Sequence, residues 1–191
     1  MSGLLGNPAI TNLVFSLGAM QVARKVPTDD PDVLFYLRIA YVAIQLITLG
    51  GYFYMTSKAK AKNDTSILKY VQPGNPMAGG EGELVTTTVR DYDVSEISKL
   101  MRGVYIGCAI MCFLHGYMKY TQPLFIQSIM TLKGLYDSKP AKVYLFGQPA
   151  TGDLKRPWLA AAPGAGLFGA APGGTDAATI KEAEQDAKKT K

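Results

Sequence analysis

The chain is poor in residues that hold metals or form covalent staples. It has one histidine, His115, and two cysteines, Cys108 and Cys112, among 191 residues. A single histidine argues against a His-based metal cluster. The cysteines are four apart on one expected helix, so they share a face but do not easily reach disulfide geometry. No Ser/His/Asp or Cys/His pair has a supporting context. Asp91, Asp93 and Glu96 read as turn and cap residues rather than as an acid/base pair. The expectation is a protein without a catalytic set, metal or cofactor, and not an enzyme. The glycines between Gly164 and Gly169 match a dinucleotide-binding spacing. No strand precedes them and no long helix follows, so that reading is rejected. Met1 to Asn7 lacks Lys and Arg, the basic start of a cleavable signal peptide, so the first apolar block is read as retained.

What is present is strongly segregated. Averages of 48% hydrophobic and 18% charged residues resemble a soluble protein. The apolar residues, however, fall in three blocks, with charges between and after them. Block one follows Asn7-Pro8 and ends at Arg24, Lys25 and Pro27. Block two follows Asp30-Pro31 and ends at Lys58, Lys60 and Lys62. Both begin with a capping residue followed by proline at the first helical position. Block three, from Gly103 to Met118, is announced by Asp93-Val-Ser-Glu96, which has capping-box spacing. After Pro123, apolar and polar residues alternate as in an amphipathic helix lying on the membrane or packing on the bundle. The expected fold is an all-α membrane protein. It has three transmembrane helices, an amphipathic interfacial helix and a mostly irregular extramembrane part.

The expected organisation is a membrane hairpin over 1–62, with helices at about 8–25 and 31–57. A polar loop over 63–93, with one short strand in Val85–Val89, leads to a third membrane helix over 94–119. An amphipathic helix and extramembrane segment cover 120–158, with Val143–Phe146 extended. Residues 159–191 read as a low-complexity, largely disordered tail carrying a short charged helix over 179–189. Three crossings would put the middle loop and the tail on opposite sides. The basic residues between Lys58 and Arg102 favour a cytosolic middle loop, whereas Arg24 and Lys25 pull the other way.

Polar residues inside the apolar blocks are the candidate site. Arg38, Gln45 and Thr48 lie in block two, Asn12 in block one and His115 in block three. Charges at bilayer depth are costly and tend to face a bundle interior or a watery cavity. They are read as a polar groove of Arg38, Gln45, Arg102 and His115. For Arg38 alone the competing reading is snorkelling to the interface and pairing with Asp30 or Asp32. Gly103 and Gly107 form a GxxxG pair suited to close helix packing. The net charge is +5. Lys58, Lys60, Lys62, Lys155 and Arg156 are the candidate contacts with lipid headgroups, RNA or an acidic protein partner.

Several stretches also carry a family resemblance: Ala61–Asp64, Lys69–Asn75, Thr87–Asp93, Lys119–Phe125 and Leu145–Pro157. On these, the chain resembles the fungal inorganic phosphate transport protein family, PHO eighty-eight, also called SRP-independent targeting (SND) protein three. The resemblance implies residence in the endoplasmic reticulum membrane and a role in delivering or inserting membrane proteins that bypass the signal recognition particle. It implies as partners the Sec translocon, the ribosome with its rRNA, the other SND components, client membrane proteins and the lipid bilayer. The family name implies phosphate uptake, which help to a phosphate transporter's maturation would reconcile with targeting. A structural translocon subunit is the remaining alternative.

Overall fold

The computed structural model describes residues 8–72 and 83–158; the expected low-complexity tail, its short charged helix and the glycine cluster lie outside the described residues. In chain order the elements are α1 (Pro8–Ala23), α2 (Pro31–Lys62), β1 (Ile67–Gln72), β2 (Glu83–Thr88), α3 (Val89–Met111), α4 (Gln122–Asp137) and α5 (Lys139–Tyr144). A π-helical turn, Cys112–Tyr117, extends α3, and a 3-10 turn spans Gly152–Leu154.

Caps explain the long helices. Asp30 accepts from the backbone N–H of Asp32 at 2.9 Å, with Pro31 at the first helical position, so α2 starts sharply. It ends at Asn63, whose left-handed backbone (φ 45°) returns an N–H to the Ala59 carbonyl. The start of α3 departs from expectation. Thr88, not Asp93, is the cap, accepting from the Asp91 N–H at 3.1 Å. The Val89 and Arg90 N–H groups donate to the Ser66 and Asp64 carbonyls, so the chain leaving α2 satisfies the first turn of α3. Asp93 is thereby drawn inside the helix and buried.

The polar segment, expected to hold one short strand, holds two in its described residues. β1 and β2 pair antiparallel from Ile67↔Thr88 to Gln72↔Glu83. Residues Val143–Phe146, expected to be extended, begin inside α5. Ser138 accepts from the Ala141 N–H at 3.3 Å, and Pro140 sits at the helix start.

Two apolar clusters fix how the helices run. Near one end of α2, Tyr41 meets Met111 and Leu124. Further along, Tyr52, Met55 and Ala59 meet Ile97, Leu135 and Ala141. Moving along α2, the partners on α3 run backwards and those on α4 run forwards. Thus α3 is antiparallel to α2, and α4 is parallel to it. α1 packs on α4 in the opposite direction, through the Ser16 hydroxyl to the Met130 sulfur (3.9 Å) and through Phe15, whose ring lies 5.3 Å from the Lys133 ammonium.

Of the two readings of the amphipathic segment, lying on the membrane or packing on the bundle, the second fits: α4 runs along α2, because Leu124, Ser128 and Leu135 form one buried stripe. One expectation changes. The hairpin and residues 139–158 share one end, whereas three crossings would separate them. There Trp158 donates its backbone N–H to the Tyr92 hydroxyl at 2.5 Å, and the Tyr92 ring meets Trp158 (5.9 Å) and Tyr70 (5.3 Å). This is the hairpin end; the turns at 24–30 and 118–121 make the opposite, turn end.

Among the described residues two helices are long and apolar enough to cross a membrane: α2, and α3 with its π-helical turn. Only 11% of the most apolar window of each is buried, the reverse of a core helix in a soluble protein. Phe35, Ile39, Val42, Leu46, Ile47 and Phe53 on α2 are each more than half exposed. α1 has 16 residues, about 24 Å of helix, which is less than a hydrocarbon core requires.

Candidate functional site: a polar seam and a charged lock

The buried face of α2 is a single stripe: Tyr41, Gln45, Thr48, Tyr52, Met55 and Ala59. Arg38 lies one turn beyond Tyr41 on the same stripe, toward the turn end. Its Nε donates to His115 Nε2 at 2.9 Å. His115 Nδ1 lies 3.0 Å from the Tyr120 carbonyl. A carbonyl only accepts and a guanidinium only donates, so the neutral imidazole protonated at Nδ1 satisfies both contacts. The π-helical turn aims His115 this way. Arg38 is therefore not paired with Asp30 or Asp32; Asp30 is engaged in capping α2.

Below this pair the seam changes character. The Tyr41 hydroxyl donates to Cys108 Sγ at 3.7 Å. Gln45 is 5% exposed and Thr48 0%, yet Gln45 Oε1 and Nε2 and Thr48 Oγ1 have no hydrogen-bond partner among the described residues. Buried polar groups are nearly always paired, so three orphaned atoms one turn apart need a functional explanation.

The structure does not bring Arg102 into this seam. Arg102 is exposed on α3, because Ile97, Leu100, Met101 and Val104 are the residues that α3 turns toward its neighbours. The glycine pair also divides. A Cβ on Gly107 would sit 2.6 Å from Gln127 Nε2 of α4, so glycine permits that approach; Gly103 has nothing within 4 Å. Gly103, Gln127 and Thr131 border a small cleft of about 260 Å³ between α3 and α4.

A second polar group lies at the hairpin end, and sequence reasoning missed it. Arg156 Nε donates to Asp93 Oδ1 at 2.6 Å and an Arg156 terminal nitrogen to Asp93 Oδ2 at 2.5 Å. The Tyr144 hydroxyl donates to Asp93 Oδ2 as well. Asp93 is fully buried, and the Arg156 guanidinium lies 4.9 Å from the Trp158 ring centre. Burial opposes the Arg156 charge, but the Asp93 hydrogen bonds and charge outweigh it and raise the Arg156 pKa. Burial, reinforced by the Asp93 hydrogen bond, raises that of Tyr144. Arg156 is thus not a free surface cation for a ribosome or lipid, since its Nε and one terminal nitrogen are bound to Asp93 inside the fold. The spacing of Asp93 and Arg156 carries no signal of this pairing, which spans the loop, α3, α4 and α5.

Lys58, Lys60, Lys62 and Lys155 are exposed at the hairpin end. Lys58 lies 5.4 Å from the Tyr54 ring centre. Among the described residues no group of His, Cys, Asp or Glu could hold a metal ion.

These features define a class: a helical bundle with two helices fit to cross a membrane, a polar seam between helices and an ordered polar end. The chain belongs to the phosphate transport (Pho88) family, whose model matches residues 6–191. It is 42% identical over 179 residues to SRP-independent targeting protein 3 of Saccharomyces cerevisiae, covering 94% of this chain and 95% of that protein. It is 34% identical over 182 residues to the SRP-independent targeting protein 3 homolog of Schizosaccharomyces pombe, covering 95% and 93%. An uncharacterized protein of the same organism is 43% identical over 164 residues, covering 85% of this chain and 80% of that protein. No solved structure matches the chain. These names point to a targeting or transport factor, not to an enzyme.

Proposed function

We propose that this chain is an endoplasmic reticulum membrane factor that targets and inserts membrane proteins independently of the signal recognition particle. The observation that carries the mechanism is the seam: orphaned Gln45 and Thr48 below Arg38 and His115, on a helix whose other faces are apolar and exposed. From Phe35 to Tyr54 the exposed apolar face of α2 is about 28 Å high, close to the hydrocarbon thickness of a bilayer. Inside hydrocarbon a client's hydrophilic flank lacks partners, and desolvating it is expensive. Polar groups that already lack partners lower that cost when the flank pairs with them. The name of the yeast relative supports the targeting role.

The charge pattern orients the molecule. Lys58, Lys60, Lys62, Lys69, Arg90, Lys139, Lys142 and Lys155 are at the hairpin end, against Arg24, Lys25 and Lys119 at the turn end. By the positive-inside rule the hairpin end is cytosolic. It presents Lys58, Lys60, Lys62 and Lys155 to the ribosome and its rRNA beside the Sec translocon, with the other SND components. In microsomes, protease protection of tags at residue 80 and after residue 191 is expected to report the same, cytosolic, side for both; opposite sides would overturn this orientation.

Arg38→Leu and Gln45→Leu are expected to lower client insertion in a reconstituted assay several-fold without loss of folded protein. Unchanged insertion would defeat the seam mechanism and favour a structural subunit of the translocon. The family description keeps phosphate transport, or maturation of a phosphate transporter, as the alternative. Phosphate flux into liposomes holding only this protein would establish direct transport.

A further inference from the structure

A second cavity lies on the opposite side of α4 from the small α3–α4 cleft. It opens between α1, α2 and α4, measures about 600 Å³, and is lined by Phe15, Ile44, Ile129, Leu132, Tyr136 and Phe146 among others. We propose that this cleft binds one acyl chain of a membrane lipid, a proposal that rests on the membrane reading above.

Chemistry, size and place each narrow the occupant. The walls are carbon except at Lys133, whose ammonium is paired with Asp137 and lies over the Phe15 ring. Water needs two to four polar partners to stay in a cavity, and these walls do not supply them. A transmembrane helix is too large: two turns, roughly 10 Å across and 11 Å long, occupy on the order of 850 Å³. The cleft exceeds what side-chain rotation closes and falls within the range of small-ligand pockets.

The cleft also lies where a lipid chain would be. From Ile129 to Tyr136 it extends about 10 Å along α4. Of its lining residues Phe15, Leu132, Tyr136 and Phe146 are exposed, so the cleft opens to the outside of the bundle. α1 is held chiefly by α4, through Ser16–Met130 and Phe15–Lys133, so it forms one wall without closing on α2. At the hairpin end the floor is Leu145 and Phe146, which follow α5 directly. Lys139 and Lys142 of α5 place cations at that end, where the phosphate of the bound lipid's headgroup would sit.

The test uses the full chain in vesicles of dioleoyl phosphatidylcholine doped with a phosphatidylcholine carrying a diazirine in one acyl chain. After illumination, peptides spanning 129–136 and 145–146 are expected to carry at least fivefold more label than the exposed α2 positions away from the cleft, Phe35, Ile39 and Phe53. Leu132→Trp, which places an indole in the cleft, is expected to abolish that excess while leaving the α2 labelling unchanged. Ile129→Trp serves the same purpose if Leu132→Trp fails to fold. Labelling that follows exposure alone, or an excess untouched by both tryptophans, would overturn the proposal while leaving the membrane reading intact. An unlabelled α2 face would overturn both.

Discussion

The hairpin end and the middle of the bundle handle buried polar groups in opposite ways. At the hairpin end Asp93, the most deeply buried charge, takes hydrogen bonds from Arg156 and Tyr144, and the Tyr92 hydroxyl is used by the Trp158 backbone. In the middle, Gln45 and Thr48 are also buried but have no partner among the described residues. A satisfied buried network holds one arrangement tightly, whereas orphaned groups cost stability and persist where function uses them. The comparison separates a part built to hold from a part built to receive. It also explains why the chain carries an elaborate polar cap on an otherwise apolar bundle: the cap ties the segment after α4 to the base of α3.

The sharpest way to break this contrast is to remove one partner from the lock. Asp93→Ala leaves the Arg156 charge buried and unpaired, which is expected to cost about 3–5 kcal/mol. Thermal unfolding in detergent or nanodiscs should show a large loss; a shift of under a degree would mean that the pair is not closed in solution. The same kind of substitution in the seam is expected to act with the opposite sign. Gln45→Leu combined with Thr48→Val removes orphaned groups, each with a burial penalty of about 1–3 kcal/mol, and should raise the unfolding midpoint while lowering insertion. A variant that is both less stable and fully active would reverse the assignment of the two regions.

Smaller effects sharpen the picture. Gly107→Ala pushes Gln127 aside and is expected to cost about 1 kcal/mol, recovered when Gln127 is also changed to Ala. A double-mutant cycle on unfolding midpoints measures that recovery. The smallest expected effect is a pH slope at the lock. The Tyr144 pKa is raised above its ordinary 10.0 by burial and then by Asp93. Protonated Tyr144 thus contributes stability that is complete below about pH 10 and lost as pH rises toward the folded-state value. Unfolding midpoints between pH 8 and 11 should fall less steeply for Tyr144→Phe than for the parent chain.

Particular residues show how far the sequence carried. The start of α2 was legible because Asp30-Pro31 is a local signal, decided by backbone sterics and one side-chain oxygen. The start of α3 was misplaced at Asp93, since its Asp-Val-Ser-Glu pattern is equally valid locally. The choice of Thr88 came from Ser66 and Asp64, residues on the far side of the hairpin. β1 escaped notice because Ile67–Gln72 has no clean alternation; its faces are set by β2 and by the Tyr92 and Trp158 rings. In the candidate site, Arg38, Gln45 and His115 were found as polar residues in apolar runs. Arg102, added to the groove from the polar turns before block three, is turned outward by its helical face. Arg156 looked like a surface cation for want of any sign of its partner.

The sequence by itself determined the apolar segments, the cap of α2, the family and the rarity of catalytic and metal-binding residues. All of these follow from composition and from interactions within a few residues. Only the tertiary structure decided that α4 runs beside α2, that the hairpin and the segment through Trp158 share one end, and which polar residues pair and which stay alone. Those outcomes depend on which helix faces meet, and a face becomes inside or outside only when a second helix covers it.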